Sequence, residues 1–422
     1  MAVPPSSLAL ATPRGNRPPA ARQSRFRGGQ LGLAAGLLVL ANLAQAADTA
    51  TPAALVDLGL SLLRQPGPPN AVVSPVAVAS ALGMVHAGLN GPAEDEIEAL
   101  FAPREALPFK QRLPALLKQL RSGETASPFV MAGRVWMDVG VAAAVPPAYL
   151  RRMATRYGAD ATRVPFAKSE ATRAQINDWT SQKTAGRVAE LLPPGSVTAD
   201  TRITLTTALH FKSPWERPFD PAKTDARPFR VSSAADTKPV PTLLDERGVL
   251  QARVDGTLVM SLPFAGEAWT LLLAVPAEGR SVEALAAGLD GPRFAAWQAA
   301  LKPEKCAFAL PKFTLAPRAG SLRPALESMG VKKVFTTAAD LRPMLGRRAK
   351  DAHLGDVFHA AGISIDETGG EAVAAAAATV QSKSLAMPVP ACAVDRPFLF
   401  AVVHRATGTP LFIGRIGDPA AN

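Results

Sequence analysis

The 422-residue chain lacks the patterns that mark most enzymes. It has no Gly-rich phosphate loop, no His-Glu-x-x-His, no Cys-x-x-Cys and no Asn-x-Ser/Thr acceptor, so P-loop nucleotide chemistry, zinc hydrolysis and dithiol redox chemistry have nothing to stand on. Its five histidines, His86, His210, His353, His359 and His404, show no metal-ligand spacing, and each reads as packing or surface. No pattern implies a cofactor, and no nucleic-acid module is apparent. Length alone allows two or three domains. Yet no Gly/Ser-rich or charge-run linker and no internal repeat divides the chain, and 48% hydrophobic residues can build one large core. The proline clusters Pro66-Gly-Pro-Pro69 and Pro193-Pro-Gly195 read as helix stops.

The one long apolar run lies near the start. The first 46 residues hold Arg14, Arg17, Arg22, Arg25 and Arg27 with no acid, then an apolar run from Leu31 to Leu43, then Ala44-Gln-Ala46. This is the layout of a signal peptide with a long basic leader. The run is short for a membrane span, and no cysteine follows it to carry a lipid. The expected division is a signal peptide at 1–46 and a mature domain at 47–422, secreted to the periplasm or outside the cell. Removing the five leader arginines lowers the formal net charge from +11 to +6, so much of the basicity belongs to the leader.

What is present is local patterning. Ser74-Pro75 ahead of Val76-Ala-Val-Ala-Ser-Ala-Leu-Gly-Met84 predicts a helix capped by Ser74 with Pro75 at its first position. Arg396-Pro-Phe-Leu-Phe-Ala-Val-Val-His404, a polar turn through Ala406-Thr-Gly-Thr409, and Pro410-Leu-Phe-Ile-Gly-Arg-Ile416 predict a buried hairpin. The run from Ile365 to Ser384 is more informative. By propensity, the alanines from Ala372 to Ala378 read as helix. But Gly370, Ala372, Ala374, Ala376, Ala378 and Val380 fall at every second position, so as a strand the run would turn one small apolar face inward. Such a strand could slide into a closed sheet; an alanine-rich surface helix or low-complexity linker is the alternative.

The run closely resembles the hinge and reactive loop of the serpins, which waits in solvent as protease bait and inserts into a central sheet once cut. On that resemblance Glu367 opens the hinge, which continues through Gly369, Gly370, Glu371, Ala372, Ala374 and Ala376, within a reactive loop at about 367–390. Counting the usual loop from Glu367 places the scissile bond between Lys383 and Ser384, with Leu385 and Met387 as runner-up specificity residues. A basic residue there suits a trypsin-like protease, whose specificity pocket carries a buried acid. Other motifs match in order. The Ser74 helix resembles the one beneath the central sheet. Ile176-Asn-Asp-Trp179 with Thr184-Ala-Gly-Arg187 resembles the end of the helix lying across it. Phe211-Lys212 and Trp215-Glu-Arg-Pro-Phe219 match the breach where the loop first enters, Leu310-Pro-Lys-Phe313 matches a later strand, and His359 matches the shutter histidine. The matches run from Ala54 to Pro419, in the manner of a bacterial secreted member, and imply an α+β serpin fold of three β-sheets, eight or nine helices and an exposed loop. There are departures. Ala77 stands where the family has a second shutter serine, Thr207 where it has asparagine, and Gly370 where it usually has Thr or Ser. A histidine stripped of partners in an apolar place is costly, so Thr207 or Ser80 would have to replace them.

The resemblance implies a secreted serine protease inhibitor and no enzyme: a monomeric suicide substrate for a trypsin-like protease, with no cofactor, nucleic acid or membrane span. A non-inhibitory carrier or chaperone on the same fold is the alternative, for which a bulky or charged inward hinge residue would have argued; none is present. An unrelated secreted hydrolase is a third class, against which the missing nucleophile motif counts. Lys110, Arg112, Lys118 and Arg121 lie on an expected early helix where some serpins bind polyanions, although a solvated charged face is the plainer reading. In serpins the strands carrying Cys306 and Cys392 are neighbours in the small third sheet. The resemblance therefore implies a bond between them, with two buried free thiols as the alternative.

Overall fold

The computed structural model describes residues 51–101, 108–121, 128–141, 145–231, 236–346, 352–370 and 389–421. Its helices are α1 (51–63), α2 (Pro75–His86), α3 (Pro92–Leu100), α4 (Phe109–Arg121), α5 (Pro147–Arg152), α6 (Ser169–Lys183), α7 (Val282–Gly288), α8 (Gly291–Ala300), α9 (Arg323–Ser328) and α10 (Arg342–Leu345). The start of α2 follows its sequence: the Ser74 hydroxyl accepts the Ala77 N–H at 3.2 Å, and Pro75 takes a position whose N–H has no helical partner. Every residue of α2 is buried, as an all-round apolar helix must be.

The strands of the described residues form two mixed sheets. The first runs β3 (Asp160–Val164), β2 (Phe129–Asp138), β4 (Ile203–Phe211), β13 (Leu354–Ile365), β14 (Gly369–Gly370), β5 (Ser213–Pro214), with β11 (Phe313–Leu315) and β12 (Gly320–Ser321) also paired to β13. β4 and β13 are parallel neighbours and are covered on both faces, so both are buried along most of their length. On one face Leu205, Leu209, Phe211, Val357 and Ala361 join the main core around α2. On the other, Ala208, Phe358 and Ala360 pack with Trp136, Phe166 and Ile176 in a second core that includes α6.

The second sheet runs β1 (Ala71–Val73), β17 (Thr409–Ile416), β16 (Phe398–His404), β9 (Trp269–Val275), β8 (Thr257–Pro263), β7 (Thr237–Val254), β10 (Lys302–Pro311), β15 (Ala391–Ala393), with β6 (Asp225–Arg230) also on β7. β16 and β17 are the predicted hairpin, buried along their whole length. Two further sheets are expected from the resemblance, and here they are continuous. The 18-residue β7 pairs with β6 over 237–242, with β10 over 242–251 and with β8 over 250–254, so one strand carries the pairing through. Cys306 of β10 and Cys392 of β15 are joined by a disulfide, with their Cα atoms 5.9 Å apart. In the chain-entropy account a bond closing a separation of 86 residues stabilises the fold by roughly 4–5 kcal/mol. Among the described residues no helix is long and apolar enough to cross a membrane.

Candidate functional site at the mouth of the first sheet

β4 and β13 lie side by side from Thr204 and Asp356 to His210 and Gly362. Beyond that level they part, and β14 fills the gap: Gly370 lies opposite Ile365 on one side and Ser213 on the other, and Gly369 lies opposite Pro214. Gly369 needs to be glycine. Its φ is 149°, and a Cβ there would run into the Ser213 carbonyl oxygen. A Cβ at Gly370 would lie 3.1 Å from Phe211 Cδ1, so this position faces the main core.

The residues leading into β14 are tied down from three sides. Asp366 Oδ1 accepts the N–H groups of Thr368 (2.7 Å) and Gly369 (3.2 Å), a turn that an aspartate side chain builds locally. Trp215 donates its N–H to Thr368 O (2.9 Å) and its Nε1–H to Asp366 O (2.8 Å), while its ring stacks on Phe264 at 4.6 Å. The Glu367 carboxylate receives Lys312 Nζ at 2.8 and 2.9 Å and the Thr224 hydroxyl at 2.7 Å. Burial pushes the Glu367 carboxyl up, but Lys312 and Thr224 together hold it below the usual carboxylate range. Glu367 and Trp215 were legible from sequence. Lys312 was visible only as part of Leu310-Pro-Lys-Phe313, and nothing local pointed to Thr224. Glu371, Ala372, Ala374, Ala376, Lys383 and Ser384 lie outside the described residues, as do Leu385 and Met387, and the described chain resumes at Val389 ahead of β15.

The registers on the two sides of the gap agree. Gly362 faces His210, and Gly370 faces both Ile365 and Ser213; 362 − 210 and 365 − 213 give the same offset of 152. Parting β4 from β13 sideways therefore leaves a slot already in register with β14.

Lower in this seam His359 lies opposite Thr207 and is 4% exposed. Its Nε2 accepts the backbone N–H of Ser74 at 3.1 Å, which places the ring proton on Nδ1, an atom with no well-aligned hydrogen-bond partner among the described residues. Thr207 does not replace the family's asparagine at the ring; its hydroxyl donates to Ala77 O at 3.3 Å. Burial pushes the imidazole down to about 4 from its ordinary 6.5. The folded state thus resists a proton that the unfolded chain accepts. Above pH 6.5 the ring is neutral in both states and no protonation penalty arises, and stability falls as the pH drops from 6.5 toward 4, by up to roughly 3 kcal/mol. Denaturant midpoints measured from pH 7.5 to 4.5 are expected to fall more steeply for the parent than for His359→Asn; parallel curves would show that His359 is not responsible.

Across the other face of the sheet, α6 is fastened by a clasp that sequence reasoning read only as aromatic packing. The Arg134 guanidinium lies over both the Trp179 ring (4.4 Å) and the Trp136 ring (5.2 Å) and pairs with Asp160 at 2.9 Å. Asn177 holds the following segment through Leu191 N, Leu192 N and Leu192 O. On α4, Arg112 is buried and donates to Thr51 Oγ1 and Phe101 O, Arg121 donates to Tyr157 O, and Lys110 pairs with Glu94. Of the four basic residues Arg112 is thus turned inward, while Lys110, Lys118 and Arg121 are exposed.

Known proteins share this arrangement. The family model described as Serpin (serine protease inhibitor) matches residues 55–419. A serine protease inhibitor from Cyanea capillata is 28% identical over 361 residues, covering 83% of this chain and 93% of that protein. Human Serpin B9 is 28% identical over 367 residues, covering 85% of this chain and 96% of that protein. Among solved structures, uncleaved ovalbumin superposes with a TM-score of 0.78 at 26% identity, covering 88% of this chain and 99% of that one. With a parallel seam closed below, a glycine pair wedged into its mouth and a family match across almost the whole described region, the chain belongs to the serpins, a family of protease inhibitors and not of enzymes.

Proposed function

We propose that the protein is a suicide-substrate inhibitor of a trypsin-like serine protease, exported through its leader. The protease supplies the chemistry. Its serine oxygen attacks the Lys383 carbonyl carbon, the C–N bond to Ser384 breaks, the departing amine takes a proton from the protease's general acid, and an ester joins the two proteins. The freed segment from Glu371 to Lys383 then enters the seam and drags the acylated protease with it before water can complete deacylation.

The single observation that carries this reading is the matched register of the seam. Extended downward from β14, it would set Ala372 between Phe211 and Ile363, Ala374 between Leu209 and Ala361, Ala376 between Thr207 and His359, and Ala378 between Leu205 and Val357 after insertion. These neighbours face the main core, apart from the His359–Thr207 pair described above, and small inward side chains are what such a site admits. About a dozen newly ordered strand residues, at roughly 0.5–1.5 kcal/mol per hydrogen bond, offer on the order of 10 kcal/mol before ordering entropy is subtracted. The uncut protein is then held from its best state by kinetics. Mixing the mature protein with pancreatic trypsin should give a covalent adduct that survives a denaturing gel. Cleavage at Lys383 with no adduct at any ratio would refute the proposal.

A further inference from the structure

We propose that Asn90 is a self-modifying site: attack by the Gly91 nitrogen expels its side-chain amide and leaves aspartate or isoaspartate, which unlatches the approach to α3 from the segment leading into α10. Asn90-Gly91 is the only Asn-Gly pair in the chain. It lies between α2 and α3, with both residues exposed. Glycine sets no side chain beside the nitrogen that attacks: a Cβ at Gly91 would meet nothing within 4 Å, and the Gly91 N–H has no partner among the described residues. Its φ of 69° is one that glycine takes without strain. The other asparagines among the described residues are held. Asn70 donates to Asp418 O and Ala421 O at 2.7 and 2.6 Å and is followed by Ala71. Asn177 is 8% exposed, donates to Leu192 O, accepts from Leu191 N and Leu192 N, and is followed by Asp178.

The step needs only water. The Gly91 backbone nitrogen bonds to Asn90 Cγ, the Cγ–Nδ2 bond breaks, and the proton lost by the attacking nitrogen passes through solvent to Nδ2, which leaves as ammonia. Water then opens the cyclic imide at one of its two carbonyl carbons, breaking that carbon's bond to nitrogen. Opening at Cγ gives aspartate; opening at the backbone carbonyl gives isoaspartate, with the side-chain carbon carried in the main chain. Ring closure requires the Asn90 backbone to turn. What holds it is one backbone bond, Asn90 N–H to Asp340 O at 3.0 Å, and one long side-chain contact, Nδ2 to Asp340 Oδ2 at 3.4 Å. A lone bridge at the surface opens at small free-energy cost. Both products turn that side-chain contact from attraction to repulsion. The amide that departs is the donor to Asp340, and the new carboxylate faces one that Arg342 grips at 2.6 and 2.8 Å and holds well below the usual carboxylate range. Isoaspartate also lengthens the main chain, and the adjoining turn has no slack for it: a Cβ at Gly88 would lie 2.7 Å from Met344 Cβ on α10 and 3.0 Å from the Tyr149 ring.

The test ages the folded parent in mildly alkaline buffer and maps each asparagine by mass spectrometry, with enzymatic methylation of isoaspartate as a second readout. Conversion at Asn90 should exceed that at Asn70 and at Asn177 at least about tenfold. The more acidic form that accumulates should be missing from Asn90→Gln protein aged alongside. A smaller excess at Asn90, or no conversion there, overturns the proposal. The unlatching is tested on fresh protein. Asn90→Asp should lower the denaturant midpoint when made in the parent and should not lower it when made in Asp340→Asn protein, because the repulsion needs both carboxylates. An equal fall in the two backgrounds, or a fall in neither, overturns it. If a variant fails to fold, the acidic form purified from aged parent decides: a midpoint no lower than that of fresh protein overturns the proposal.

Discussion

Replacing Ala374 by Arg is expected to turn the inhibitor into a substrate. On the proposed insertion, position 374 would come between Leu209 and Ala361, exposed 1% and 3%, and would carry a guanidinium into the main core with no partner. Burying an unpaired charge costs several kcal/mol, and about 4 kcal/mol slows a step roughly a thousandfold if most of it is felt in the transition state. Deacylation, which needs none of this, goes on at its own pace. With trypsin, the number of inhibitor molecules cut per protease trapped should rise at least about tenfold. The uncut variant should unfold like the parent, since in the proposed mechanism position 374 enters the sheet only after cleavage. An Ala374→Arg variant that traps as efficiently as the parent would mean that position 374 never enters the seam.

The second large effect concerns choice of protease. Lys383→Leu should slow association with trypsin by about 10²–10³-fold, the worth of a charge pair buried in a specificity pocket, and should create an inhibitor of chymotrypsin. Lys383 is the only basic residue between Glu371 and Asp395, so no neighbour can take over. Mass spectrometry of the released fragment provides the check. A fragment starting at Ser384 assigns the bond as proposed, whereas one starting at Ala386 or Pro388 moves it to Leu385 or Met387.

The fold was largely legible from the chain because its markers are local. The Ser74-Pro75 cap, the hairpin of alternating Phe, Val and Ile, and the period-two alanines each need only neighbours in sequence to be read. The contacts that hold the hinge were not legible in this way. Lys312 and Thr224 meet the Glu367 carboxylate across separations of 55 and 143 residues, and only the folded sheet brings them together. The shutter shows the same limit. Sequence identified His359 and the loss of its usual neighbours, but the replacement is the backbone N–H of Ser74, which no side-chain pattern can announce. The unbroken 18-residue β7 escaped for a related reason: continuity depends on which partners lie along its two edges, and residue types alone do not record it.

The clasp of Arg134, Trp136 and Trp179 gives α6 a part in timing. A loop strand entering between β4 and β13 has to widen the sheet on which α6 rests, and these three side chains fasten the helix to that sheet. On the proposed mechanism each acylated protease would stand at a fork, with water on one branch and sheet expansion on the other. How firmly α6 is held would then set the odds between escape and capture.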